Sequence, residues 1–114
     1  MIYDITPVPK PRMTQRDKWQ QRDCVLRYRT FKDLVRYHKV FLPTANCHVT
    51  FYIPMPKSWS KKKRKEKNGT LHRQRPDWDN LGKALSDAVY GEDACIADIR
   101  ITKRWAEKGA IEII

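Results

Sequence analysis

Apolar and polar positions change period several times along the chain, and each change predicts an element. Ile2 to Ile5 reads as the start of a strand that ends at Pro7, Pro9 and Pro11, whose missing amide donors forbid a central strand. The segment from Pro7 to Asp23 is therefore expected as an arm. Phe31, Leu34, Val35, His38 and Phe41 or Leu42 recur at helical spacing, and Thr30 with Asp33 resembles a capping box. A helix from about Arg27 or Thr30 to Val40 is predicted, stopping before Pro43.

Cys47, Val49, Phe51 and Ile53 alternate with His48, Thr50 and Tyr52, the period of a half-buried strand, and Pro54 and Pro56 end it. Residues 57–75 have no period and contain Asn68-Gly69, so a mobile loop is expected there. Asp79 or Asn80 is placed to cap a helix running to about Val89, and Gly91 to stop it. Cys95, Ala97, Ile99 and Ile101 alternate with Ile96, Asp98, Arg100 and Thr102 as a strand, and Ala110 to Ile114 returns as a hairpin partner after Lys108-Gly109. The order βαβαββ predicts an α+β fold, a small mixed sheet with two helices on one face, in one domain over 1–114 with no internal repeat.

Charge adds what periodicity cannot. The 114 residues carry 24 Lys and Arg against 13 Asp and Glu, a formal charge of +11, which points to a polyanionic partner, above all nucleic acid. The excess is uneven. Residues 1–75 hold 19 basic and 5 acidic side chains, +14, whereas residues 76–114 hold 5 and 8, −3. The densest stretch, 57–75, has nine basic residues and one Glu. Within it Lys61, Lys62, Lys63, Arg64, Lys65, Arg73 and Arg75 are candidate phosphate contacts, as are Lys10, Arg12 and Arg16 of the arm. Trp19 and Trp59, each among basic residues, are candidates for base stacking.

A membrane role is disfavoured, because there is no run of 18 apolar residues and no signal-peptide pattern, so a cytoplasmic protein is expected. Cys24, Cys47 and Cys95 show no C-x-x-C spacing and are expected to be small, mostly buried hydrophobes. His38 is expected at the core or its boundary, Trp78 in packing, and Trp105 at a hairpin end. His48 and His72 form no metal-ligand set with a second histidine.

The acidic third needs its own reason. Asp77 and Asp79 lie two apart in Asp77-Trp78-Asp79-Asn80, and an extended lead into a helix puts alternate side chains on one side. Lys83 follows Asp79 by four residues and Asp87 follows Lys83 by four, forming a polar stripe opposite Leu81, Ala84, Leu85 and Ala88. Asp93 is placed to close the group from the next turn. Hard carboxylate oxygens suit Mg²⁺ or Mn²⁺, and an acidic site in a basic surround is the logic of a metal-dependent nuclease. The same spacing also describes an ordinary helix start, with an acidic cap and an ion pair.

The run Arg75-Pro76-Asp77-Trp78-Asp79-Asn80-Leu81-x-Lys83-Ala84-x-x-Asp87-Ala88, followed by Glu92-Asp93-Ala94 and Ala97-Asp98-Ile99-Arg100, resembles the RusA family of Holliday junction resolvases. The arm Pro7-Val8-Pro9-Lys10-Pro11-Arg12 resembles the amino-terminal loop of its phage-type members. The resemblance implies a homodimeric, Mg²⁺-dependent endonuclease, with Mn²⁺ as a substitute, that nicks four-way DNA junctions in paired strands and leaves 5′-phosphates. It implies Asp77, Asp79 and Asp93 as metal-binding catalytic carboxylates and Lys83 as the catalytic lysine, with Asn80, Asp87 and Asp98 at motif positions of structural character. Two other readings stay open from the residues alone: a noncatalytic basic DNA- or RNA-binding module, and a basic protein with an acidic protein partner.

Overall fold

The computed structural model describes residues 1–12 and 23–114. Its elements are β1 (Ile2–Tyr3), α1 (Asp23–Tyr37), β2 (Cys47–Pro54), α2 (Lys61–Lys67), α3 (Trp78–Tyr90), β3 (Ile99–Ala106) and β4 (Ala110–Ile113). The four strands form one mixed sheet in the order β1-β4-β2-β3. β2 runs parallel to β3, with Cys47 opposite Ile99 and Ile53 opposite Trp105, and antiparallel to β4, with Phe51 opposite Ile111.

The period-two pattern decides which face is covered. Cys47, Val49 and Phe51 of β2 and Ile111 and Ile113 of β4 are buried, and they join Tyr28, Phe31 and Val35 of α1 and Leu81, Ala84, Leu85 and Ala88 of α3 in one core. The predicted α+β class is therefore observed, with α1 and α3 sharing that core. The alternate positions carry polar contacts instead: His48 Nε2 lies 2.9 Å from Thr102 Oγ1, and Tyr52 donates to Glu112 at 3.0 Å.

Several boundaries differ from the sequence reading. α1 begins at Asp23, so Thr30 lies inside the helix, and its buried face is Val25, Tyr28, Phe31 and Val35. Leu34, His38 and Phe41 of the expected stripe are exposed. The helix closes at Lys39, which has φ 51°, with Val40 N–H bonded to Val35 O and Lys39 N–H to Arg36 O, the pairing of a Schellman stop. β3 begins at Ile99 because residues 97 and 98 are held in the preceding turn, where both amides donate to Thr44 O.

The expected β3–β4 hairpin does not form. β2 ends at Pro54, and the chain from β3 passes beyond that end through residues 107–109 to pair β4 with the far side of β2 and with β1. Gly109 makes the passage possible, since a Cβ there would lie 2.6 Å from Thr6 Cα.

The segment 57–75 is not the expected mobile loop. Ser60 caps α2 by accepting from Lys63 N–H at 3.2 Å, and Arg64 pairs with Glu107 at 2.9 Å. Residues 69–72 then bond along the outer edge of β3: Gly69 N–H to Trp105 O, Trp105 N–H to Thr70 O and His72 N–H to Lys103 O. Trp105 is buried between ring contacts from Trp59 and His72, with centroids 4.8 and 4.2 Å away, rather than standing at a hairpin end. Of the cysteines only Cys47 is buried; Cys24 is half-buried and Cys95 exposed.

Candidate active site and nucleic-acid face

Asp77, rather than Asp79 or Asn80, is the N-cap residue of α3. Its backbone is extended and its carbonyl accepts from Leu81 N–H, yet its side chain makes no cap hydrogen bond. A carboxylate kept merely to cap the helix would make that bond. Asp79 sits in the first turn, and Lys83 Nζ lies 3.9 Å from its Oδ2, with both side chains about half exposed. The Asp93 turn is fixed by Gly91, an αL helix stop with φ 78°, and by Ser86 Oγ donating to Glu92 O at 2.6 Å.

Asp79, Lys83 and Asp93 line one cleft of about 230 Å³, together with Trp78, Gly82 and the apolar side chains of Leu42, Ile96, Ile99 and Ile101. Gly82 lies where α3 faces β3, and a Cβ there would come within 2.8 Å of Ile101 Cδ1, the far end of that side chain. Asp77 faces an adjoining cleft with Pro9, Lys10, Arg75, Pro76 and Asn80. The fold thus gathers three of the four expected catalytic residues in one cleft and sets the fourth beside it. Among the described residues no three His, Cys, Asp or Glu side chains converge closely enough to form a ready-made metal cage.

The other motif carboxylates are occupied. Asp87 accepts a hydrogen bond from Tyr28 Oη and pairs with Lys32 at 3.4 Å, joining α3 to α1. Burial opposes ionisation of Asp87, but the Tyr28 bond and the nearby Lys10 and Lys32 outweigh it and hold the carboxyl below its ordinary value. Asp98 accepts from the Asn46 amide at 3.2 Å. Among the described residues, Asp77 and Asp93 have no side-chain hydrogen bond or ion pair.

A family model described as "Endodeoxyribonuclease RusA" matches residues 4–114, nearly the whole described fold and both clefts. The chain belongs to the RusA endodeoxyribonuclease family. An "Uncharacterized protein YqaN" of Bacillus subtilis (strain 168) is 36% identical over 74 residues, covering 58% of this chain. The chain spans about half the length of that relative, 52%. No solved structure matches the chain significantly. Among the described residues, no helix is long and apolar enough to cross a membrane.

On this RusA-family chain the expected DNA contacts fall into three groups. Lys10 and Arg75 flank Asp77, and the Lys10 amide is bonded to Asn80 O at 3.1 Å, which docks the arm on α3. Lys61, Lys62, Lys63, Arg64 and Lys65 lie on α2, where no residue is buried. Lys63 Nζ stands 4.3 Å over the Trp59 ring, and Arg64 is paired with Glu107, so these two cations also hold α2 to the sheet. Arg12 and Arg73 are exposed, whereas Arg16 and Trp19 lie outside the described residues. With its ring engaged by Trp105 and Lys63, Trp59 is a packing residue and not the free stacking surface expected of it.

Two residues escaped the sequence reading. Trp78 was expected to pack, yet it is 61% exposed at the wall of the Asp79 cleft. Lys103 occupies the register position opposite Phe51, on the core side of β3, and donates to Gln74 O and Pro76 O, each at 2.7 Å. Its signal was a lysine at an inward position of an alternating strand. Burial pushes its ammonium below the ordinary value, and the Asp77 charge partly offsets this.

The donor chemistry fits a hard divalent ion, since Asp77, Asp79 and Asp93 offer solvent-accessible carboxylate oxygens with no strong internal partner. Histidine and thiol donors that would favour zinc are absent from the lining of both clefts.

Proposed function

We propose that the protein is a Mg²⁺-dependent endodeoxyribonuclease that resolves four-way DNA junctions by paired nicks, acting as a homodimer in cytoplasmic DNA recombination and repair. The observation that carries this reading is the division among the carboxylates. Asp87 and Asp98 are spent on the fold, while Asp79 and Asp93 share a cleft with Lys83, Asp77 faces the cleft beside it, and none of the three has a partner stronger than the exposed Asp79–Lys83 pair, in a chain whose other two-thirds is strongly cationic.

Asp77, Asp79 and Asp93 are the residues that would hold Mg²⁺, with Mn²⁺ as a substitute; the bound ion supplies an activated water and neutralises charge on the scissile phosphate. Lys83 would stabilise the charge that develops on the phosphoryl oxygens. Lys10, Arg75 and the α2 lysines hold flanking phosphates and offset the repulsion between the acidic clefts and the backbone. A four-way junction has two-fold symmetry, so a two-fold dimer carrying one such site per protomer would cut matched strands.

The absence of a ready-made three-carboxylate cage among the described residues is what favours the second reading, a noncatalytic basic DNA- or RNA-binding module. A labelled synthetic four-way junction separates the two. Nicking with Mg²⁺ and none with EDTA supports the nuclease; binding without nicking across a range of Mg²⁺ and Mn²⁺ supports the module.

A further inference from the structure

Lys103 stands between the sheet and the strap that leads into α3. It belongs to the inward-facing row of the edge strand β3, with Ile101 and Trp105 two residues away on either side along that row. A lysine there has three donors to satisfy and apolar neighbours that cannot accept them. It reaches the backbone of the strap instead, where its two 2.7 Å bonds go to the carbonyls on either side of Arg75. The second of these, Pro76 O, belongs to the peptide that continues directly into Asp77. The strap is also tied below this point by His72 N–H to Lys103 O at 2.9 Å. Asp77 makes no side-chain cap bond of its own, so its placement depends on the backbone that carries it.

We propose that Lys103 is a positioning residue for the nuclease site: its ammonium clamps the Gln74 and Pro76 carbonyls and thereby sets where the Asp77 carboxylate stands relative to Asp79. This rests on the reading of Asp77 as a metal-binding carboxylate. It adds a fifth functional position, on a strand distant in sequence from the Asp-x-Asp motif. It also links the basic segment to the site, because the backbone that carries residues 69–72 along β3 leads into the clamped strap.

The test compares Lys103→Met, Lys103→Arg, Asp77→Asn and the Lys103→Met/Asp77→Asn double variant. Mn²⁺ affinity is measured calorimetrically on the DNA-free protein, beside junction binding in EDTA and junction cleavage. Removing a group that orients a metal ligand costs about 10- to 100-fold in metal affinity or activity. Lys103→Met is therefore expected to weaken Mn²⁺ binding by that factor and to shift cleavage to higher Mg²⁺, while junction binding in EDTA is unchanged. Lys103→Arg, which keeps a cationic donor, should recover most of the loss. In the Asp77→Asn background Lys103→Met should add nothing, since both changes act through one carboxylate.

Wild-type Mn²⁺ affinity in Lys103→Met, alongside a defective Asp77→Asn, would overturn the positioning role and leave the site intact. Wild-type behaviour of Asp77→Asn would overturn the site itself, and the positioning role with it. Should Lys103→Met fail to fold, Lys103→Leu, which likewise removes the donor, is read in the same assays with the same outcomes.

Discussion

Lys83 Nζ lies 3.9 Å from Asp79 Oδ2, one turn further along α3, too far for a hydrogen bond and with both side chains about half exposed. An exposed pair at this spacing adds only about 0.3–0.5 kcal/mol to a helix, so stability does not explain the arrangement. Lys83→Ala should change stability by no more than about that amount. Cleavage should fall by about 10²- to 10³-fold, as on removal of one charge-stabilising donor. Thermal unfolding and single-turnover cleavage check the two halves, and a large loss of stability would return Lys83 to a structural role.

The α2 lysines are exposed on a helix that the sheet holds in place, so their charge is presented from a fixed position. Each lysine that neutralises one phosphate contributes about one unit to the slope of log K against log salt. Lys61→Ala with Lys62→Ala should therefore reduce that slope by about two for junction binding in EDTA. An unchanged slope would move the DNA path away from α2.

How much of this was legible beforehand follows from where each signal resides. The α3 helix and β2 strand carry their own periodicity, and the spacing of Asp77, Asp79 and Lys83 is local, so these could be read directly. The helicity of α2 could not, because KKKRKEK has no apolar face; it depends on Ser60, on the Arg64 pair with Glu107 and on the docking of Trp59 against Trp105. The partner of β4 was also hidden. Lys108-Gly109 has the composition of a hairpin turn, but pairing is decided by β2 ending at Pro54 and by the apolar face that Ile111 and Ile113 must bury beside Val49 and Phe51. Alternation told which side Trp78 takes, not whether anything covers that side.

Tyr28 and Asp87 join α1 to α3 through a bond from a phenol to a carboxylate that is 17% exposed. Tyr28→Phe should cost about 1.5–3 kcal/mol at neutral pH, the range for a hydrogen bond to a charged group. Asp87 is held below its ordinary value of 3.8 in the fold, so its stabilisation is complete above that pH and is lost as pH falls through the folded value. Chemical denaturation at pH 7 and at steps descending below 3.8 should thus show the two proteins far apart and then converging. A constant gap would contradict the linkage.

His72 is buried against Trp105, with Nδ1 unpartnered, and its pKa is lowered by burial first and by the Lys103 charge second. The unfolded chain therefore binds a proton at a higher pH than the folded one. The stability that His72 contributes is complete above its ordinary value of 6.5 and declines as pH falls from there toward the folded value, by at most about 1.4 kcal/mol per pH unit. His72→Phe keeps a ring in the stack and removes the proton. Its stability should lose less than the wild type's between pH 7 and pH 5, and parallel curves would show that His72 does not titrate in this way.

The central claim is that the uncommitted carboxylates cut DNA while the basic surround holds it, and Asp79→Asn tests it most directly. On a labelled four-way junction the wild type should nick paired strands with Mg²⁺. Asp79→Asn should bind the junction as tightly and leave it uncut. Cleavage by Asp79→Asn at the wild-type rate would contradict the assignment of this cleft as the active site.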